Sequence, residues 1–120
     1  MFSVSQTRSF EAAHYIDNPH LPEDYRSVHG HSFVVTVSCS SGLVSPDGWV
    51  VNLGELDQKL QDVLATLDHC ILNEIEGLET PTLENLMIYI DHQMAARGIE
   101  LSRVELARPT LGQKAEMQKA

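Results

Sequence analysis

His29-Gly30-His31-Ser32-Phe33-Val34-Val35-Thr36-Val37-Ser38-Cys39 alternates with a period of two. His29, His31, Phe33, Val35, Val37 and Cys39 share one parity, Gly30, Ser32, Thr36 and Ser38 the other, and Val34 alone breaks the pattern. Successive side chains of a strand point to opposite faces, so the segment predicts a half-buried β-strand whose apolar face begins in two histidines. Upstream, Phe2, Val4, Phe10, Ala12 and His14 alternate with Ser3, Ser5, Thr7, Ser9 and Glu11, which predicts a second such strand. Asn18-Pro19, Leu21-Pro22 and Glu23-Asp24 make residues 17–28 a loop.

Downstream, Gly42, Pro46 and Asp47-Gly48 mark a turn region over 40–48, and its flanks, 32–39 and 49–51, are expected to pair as a hairpin. Leu53, Leu56, Leu60, Val63, Leu64 and Leu67 then form a stripe of helical period, with Asn52 and Glu55 placed as a capping box. Thr80-Pro81 reads as the cap and first position of a second helix, carried on by Leu83, Leu86, Ile90 and Met94 and stopped at Gly98. Leu101 to Ala107 reads as a strand, and the polar tail from Gly112 to Ala120 as an edge strand or frayed end. Strand, strand, helix, helix, strand is an α+β order around an antiparallel sheet.

Composition narrows the class. The 120 residues suit a single domain spanning 1–120. A net charge of −9 disfavours nucleic acid and anionic membrane as partners, since either needs a basic face. No apolar run approaches the length of a membrane span. The start, Met1-Phe2-Ser3-Val4-Ser5-Gln6, lacks the basic and apolar parts of an export signal. Two cysteines in no ligand spacing, Cys39 and Cys70, fit a reducing, cytoplasmic setting.

His29 and His31 are two apart on a strand, so both imidazoles emerge on the apolar face, and His14 ends the first strand on its own apolar parity. Paired ends would bring three neutral imidazoles together with a fourth position open, an arrangement suited to catalytic zinc, though imidazoles also take copper, nickel or iron. The competing reading is that each is a rim histidine satisfied on its own. Asp68-His69 follows the first long helix. Neighbours in sequence do not form a relay as a matter of course, but they bring a carboxylate and a titratable imidazole to one place; the alternative is a histidine set against the helix dipole. His20 and His92 read as surface residues.

Phe10-Glu11-Ala12-Ala13-His14, His29-Gly30-His31, Leu67-Asp68-His69 with Leu72-Asn73, and Pro81-Thr82-Leu83-Glu84-Asn85 occur in this order. Together they resemble the 6-pyruvoyltetrahydropterin synthase and 6-carboxytetrahydropterin synthase family, over roughly residues 2–107. The resemblance implies a tunnelling fold, in which a four-stranded antiparallel sheet carries two helices between strands 2 and 3 and subunits assemble into an oligomeric barrel, often a homohexamer built as a dimer of trimers. It implies Zn2+ on His14, His29 and His31, an intersubunit site using Asp68 and His69, and substrate contacts from the Thr82 and Glu84 region. The implied reaction converts 7,8-dihydroneopterin triphosphate, a pterin, to 6-carboxy-5,6,7,8-tetrahydropterin, on the route to queuosine. A pyruvoyl-type product, another substrate, or a non-catalytic zinc-binding role are the alternatives.

Two positions depart from that pattern. Where the family usually has a catalytic cysteine, four residues before the first histidine of His-Gly-His, this chain has Tyr25. A phenol holds its proton more tightly than a thiol, so Glu23, Asp24 and Cys70 also stand as candidates for the base. Where the family usually has a glutamate that grips the pterin, the simplest alignment places Arg108, which cannot accept a hydrogen bond but could bind a phosphate or carboxylate, or simply be a solvated strand end. Glu105 could serve instead only through a bulge or shift, because three residues away is the opposite face.

Overall fold

The computed structural model of the chain describes residues 1–119. Ala120, the last residue of the predicted tail, lies outside the described residues. Strands β1 (Phe2–His14), β2 (His29–Ser41), β3 (Arg103–Arg108) and β4 (Gln113–Gln118) form one sheet in the order β1-β2-β3-β4, with every neighbouring pair antiparallel. Helices α2 (Leu53–Leu64) and α3 (Leu83–Ala96) lie in the connection between β2 and β3. This is the expected α+β sheet with two inserted helices.

The inner face of the sheet is the parity expected to be apolar. Phe10 and Ala12 on β1, Phe33, Val35 and Val37 on β2, and Val104 and Leu106 on β3 are buried there with Leu56, Leu60 and Val63 of α2 and Leu86, Ile90 and Met94 of α3. The outer face is a ladder of hydroxyls: Ser5 meets Ser38 at 2.7 Å and Thr7 meets Thr36 at 2.8 Å. Arg8 reaches from β1 to Asp57 on α2 with two contacts of 2.7 and 2.8 Å, fastening the edge strand to the helix layer.

Local chemistry explains the boundaries. The Asn52 side chain accepts from the Glu55 amide, but Glu55 turns to Lys59 at 2.7 Å instead of reaching back, so half of the predicted capping box forms. The second cap moves two residues: Thr82, not Thr80, accepts from Asn85 N at 3.2 Å, and the helix starts at Leu83. Pro81 stays ahead of the helix, and its carbonyl is taken by a histidine. Gly98, at φ 83°, ends α3 as expected, with Ile99 N donating to Met94 O and Gly98 N to Ala95 O.

Three other expectations change. Residues 49–51 do not pair with β2, because β1 occupies one edge of that strand over its whole length and β3 occupies the other from Val34 to Ser38. Instead Ser45 N donates to Trp49 O and Gly48 N to Ser45 O, closing a turn that sends Val50 and Val51 onto the core. The loop 17–28 contains one helical turn, α1 (Glu23–Arg26). The tail resolves as the edge strand β4, reached through a tight turn at Pro109–Leu111 that Gly112 closes at φ 65°. Among the described residues no helix is long and apolar enough to cross a membrane.

Leu60 is fully buried where α2 meets the sheet, whereas Leu43 is 80% exposed. Leu60→Ala is expected to cost about 2–5 kcal/mol and Leu43→Ala no more than about 0.5 kcal/mol, as read by urea unfolding. Equal costs would mean that the helix layer does not cover this face.

Candidate metal centre and the adjoining pocket

The β1–β2 register sets His14 opposite His29 and Ala12 opposite His31, so the inner rows of both strands end in imidazoles at one rim of the core. The three rings stand nearly equidistant, with centroids 4.6 Å (His14–His29), 4.9 Å (His14–His31) and 4.8 Å (His29–His31) apart, each pair edge-to-face. One nitrogen from each lies within 4.8 Å of the other two. Convergence of the three, read from parity, is what the structure contains.

Backbone carbonyls set the tautomers of two rings. His14 Nδ1 lies 2.9 Å from Pro81 O, and His29 Nδ1 lies 2.7 Å from Ser27 O. A carbonyl only accepts, so each Nδ1 carries the proton and each Nε2 keeps its lone pair. His14 Nε2 and His31 Nε2 are shut off from solvent and bond to nothing. Buried nitrogens are normally paired, and two unpartnered ring nitrogens in one cluster, one of them the lone pair of His14 Nε2, fit a bound cation. Burial also pushes the His31 pKa down to about 4, helped by the charges of His14, Arg108 and His29. His14 is lowered too, chiefly by burial and against the pull of its bond to Pro81. Neutral imidazoles are the form that binds metal.

Around this trio the structure gathers some of the predicted residues and separates others. Tyr25, on α1, packs edge-on against His29 with centroids 6.5 Å apart. Arg108, at the end of β3, is close enough to His14 and His31 for its charge to lower both. Glu23 and Asp24 are exposed on α1. Thr82 spends its hydroxyl on the α3 cap, and Glu84 is exposed in the first turn of that helix. Glu105 stays on the outer face because β3 pairs regularly with β2, Thr36 opposite Glu105, with no bulge to turn it; it is held by Lys114 at 2.8 Å and Arg103 at 3.6 Å.

Asp68 and His69 do contact each other, contrary to the expectation for sequence neighbours: His69 Nδ1 is 2.9 Å from Asp68 Oδ2. His69 has φ 58°, a left-handed conformation that a non-glycine residue adopts at a cost. Glu11 of β1 holds this turn from both sides, its amide donating to Asp68 Oδ1 at 2.9 Å and its carbonyl accepting from His69 N at 2.6 Å. The Glu11 amide, more than His69, keeps the Asp68 carboxyl below its ordinary range. Since α2 ends at Leu64, His69 is too far along to feel the helix dipole. Asp68 accepts from Nδ1–H and leaves Nε2 free on a side chain that is 79% exposed. His69, His31 and Cys70 all border an open pocket of about 470 Å³. Cys70 is partly buried, with Sγ directed at Asp68 O.

Sequence reasoning missed Ser27, Pro81 and Glu11. The first two act through carbonyls that any residue carries, so no side-chain signal marks them. Glu11 likewise acts through its backbone amide and carbonyl, and its side chain, which accepts from Ser32 at 2.7 Å, carries no signal of that role.

The family profile for 6-pyruvoyl tetrahydropterin synthase matches residues 3–120. A protein of Archaeoglobus fulgidus, provisionally named 6-carboxy-5,6,7,8-tetrahydropterin synthase, is 37% identical over 104 residues, covering 87% of this chain and 85% of its own. The 6-carboxy-5,6,7,8-tetrahydropterin synthase of Synechocystis is 34% identical over 104 residues, 82% of this chain and 79% of its own. Among solved structures, the 6-pyruvoyl tetrahydropterin synthase of Caenorhabditis elegans superposes with a TM-score of 0.80 at 24% identity, covering 99% of this chain and 96% of that one. This likeness establishes the shared fold.

Two outcomes follow from the geometry. His69→Gly relieves the left-handed backbone and is expected to raise stability by about 0.5 kcal/mol, less than the full relief because glycine gains freedom when unfolded; a loss above about 1 kcal/mol in urea unfolding would show that the Asp68 contact outweighs the strain. His31 binds its proton less well folded than unfolded, so metal-free protein loses stability as pH falls from about 6.5 towards 4. Measured against His31→Gln, which cannot titrate, the wild type should weaken across that window, and parallel curves would contradict it.

Proposed function

The chain belongs to the 6-pyruvoyl tetrahydropterin synthase family, and we propose that it is a zinc-dependent pterin-processing lyase of the 6-carboxy-5,6,7,8-tetrahydropterin synthase type. The substrate in this reading is 7,8-dihydroneopterin triphosphate, processed with loss of triphosphate and cleavage of the side chain on the queuosine route. The observation that carries it is the pair of buried, unpartnered Nε2 atoms on His14 and His31 beside His29. Three nitrogen donors, those of His14 and His31 kept from protonation by burial, suit Zn2+ with a position left for substrate.

His14, His29 and His31 would hold the ion, which when bound supplies Lewis acidity towards oxygens of the substrate side chain and so acidifies the neighbouring carbon-bound hydrogen. Pro81 O and Ser27 O keep two of the rings in the metal-binding tautomer. Tyr25, whose ring lies 6.5 Å from that of His29, would relay a proton at its phenolic oxygen. His69 would exchange protons at Nε2 while Asp68 fixes its other nitrogen, a division of labour suited to general acid–base work. Because, among the described residues, no strand lies beyond β4 or beyond β1, whose outer edge is taken only at Glu11 and Ala13 by the 69–71 turn, edge pairing between subunits into a cytoplasmic homohexamer, a dimer of trimers, belongs to the same reading. Arg108 favours a second reading, in which the same machinery acts on a different heterocycle.

Metal analysis of purified protein should find one zinc per chain, and none in the doubly substituted His29→Ala, His31→Ala protein. Mass spectrometry after incubation of zinc-loaded protein with 7,8-dihydroneopterin triphosphate should show 6-carboxytetrahydropterin, and Tyr25→Phe should lose product while keeping metal. A pyruvoyl product would change the reaction, and untouched substrate in zinc-loaded protein would overturn the lyase reading.

A further inference from the structure

The inner row of β3 runs Val104, Leu106, Arg108, so a lane of apolar core ends in a guanidinium just where the lanes of β1 and β2 end in imidazoles. Val34 pairs with Ala107, which brings Arg108 alongside Phe33, one pleat from His31. Pro109 follows and keeps Arg108 out of the helical region, at φ −115° and ψ 84°, where the chain leaves the sheet. Arg108 Nε is closed to solvent and donates to nothing. Among the described residues no carboxylate comes within ion-pair distance of Arg108, in contrast with Arg8 on Asp57 and Arg103 on Glu116. Burial disfavours the guanidinium's charge and outweighs the smaller favourable influence of Tyr25 and Glu84.

A guanidinium has donors only, arranged in a plane that matches two oxygens of a carboxylate or phosphate. It rejects the amino and ring N–H edge of a heterocycle, which needs an acceptor, and the one acidic side chain on β3, Glu105, is ion-paired on the far face. We propose that Arg108 is a specificity-determining residue that receives an oxyanion of the ligand, a carboxylate or a phosphate, beside the three histidines. The inference rests on the reading of that rim as a ligand site, but not on the identity of the reaction.

Inorganic phosphate and acetate are the probes, titrated calorimetrically into metal-free and zinc-loaded protein so that anion capture by the metal is separated from capture by arginine. In metal-free protein one of the two should bind, and Arg108→Gln should weaken it at least about tenfold, as expected on losing a charge-assisted bond. Arg108→Lys should recover part of the loss, which also guards against a folding defect in the glutamine variant. Which anion depends on Arg108 identifies the group. Equal affinity in wild type and Arg108→Gln, or no binding of either anion to wild type, would overturn the proposal. So would a changed oligomeric mass in Arg108→Gln with anion binding intact, which would assign the arginine to a carboxylate on a second copy. Arg108-dependent anion binding without pterin turnover would sink the lyase reading alone.

Discussion

The antiparallel register of β1 against β2, with His14 opposite His29, is the constraint on which the site is built. A slip of one residue would send the histidines of one strand to the outer face while the others stayed within. The core prevents it, because the same slip would turn Phe10 away from Phe33, whose ring it stacks on at 4.8 Å. The hydroxyl pairs Ser5–Ser38 and Thr7–Thr36 mark the same register from the other side. Packing thus aligns the imidazoles, and the cluster needs little alignment of its own.

Given that register, the helix layer finishes the site. The start of α3 is delayed to Leu83, which leaves Pro81 as irregular chain with a free carbonyl, and His14 Nδ1 takes it. The turn after α2 lies against β1, where Glu11 fixes Asp68 and His69 through its backbone. Strain at His69 is tolerated because two hydrogen bonds to one strand residue define the turn. The histidine cluster and the Asp68–His69 pair are in this way held by different parts of the same strand, His14 at its end and Glu11 three residues before.

Much of this was legible in the residues. Alternation in Phe2–His14 and His29–Cys39 located both strands and their inner faces, since a sheet covered on one side must separate apolar from polar at every second residue. The leucine stripe of α2 and the Gly98 stop of α3 were equally plain. Other features depended on competition that sequence does not display. Residues 49–51 looked able to pair with β2, but both edges of that strand were already taken. Thr80 and Thr82 could each have capped α3, and the choice went with the carbonyl demanded by His14.

By itself the sequence determined the strand faces, the helix stripes, the presence of three histidines on apolar parity and the family, because these follow from periodicity and motif order within short stretches. Only the tertiary structure decided that His69 folds back on Asp68, that Ser27 and Pro81 carbonyls choose the tautomers, that Glu105 faces away, and that Arg108 joins the histidines with its Nε unpaired. Those outcomes depend on which groups lose their water together, and residues distant in the chain meet only when the sheet and its helices close over one another.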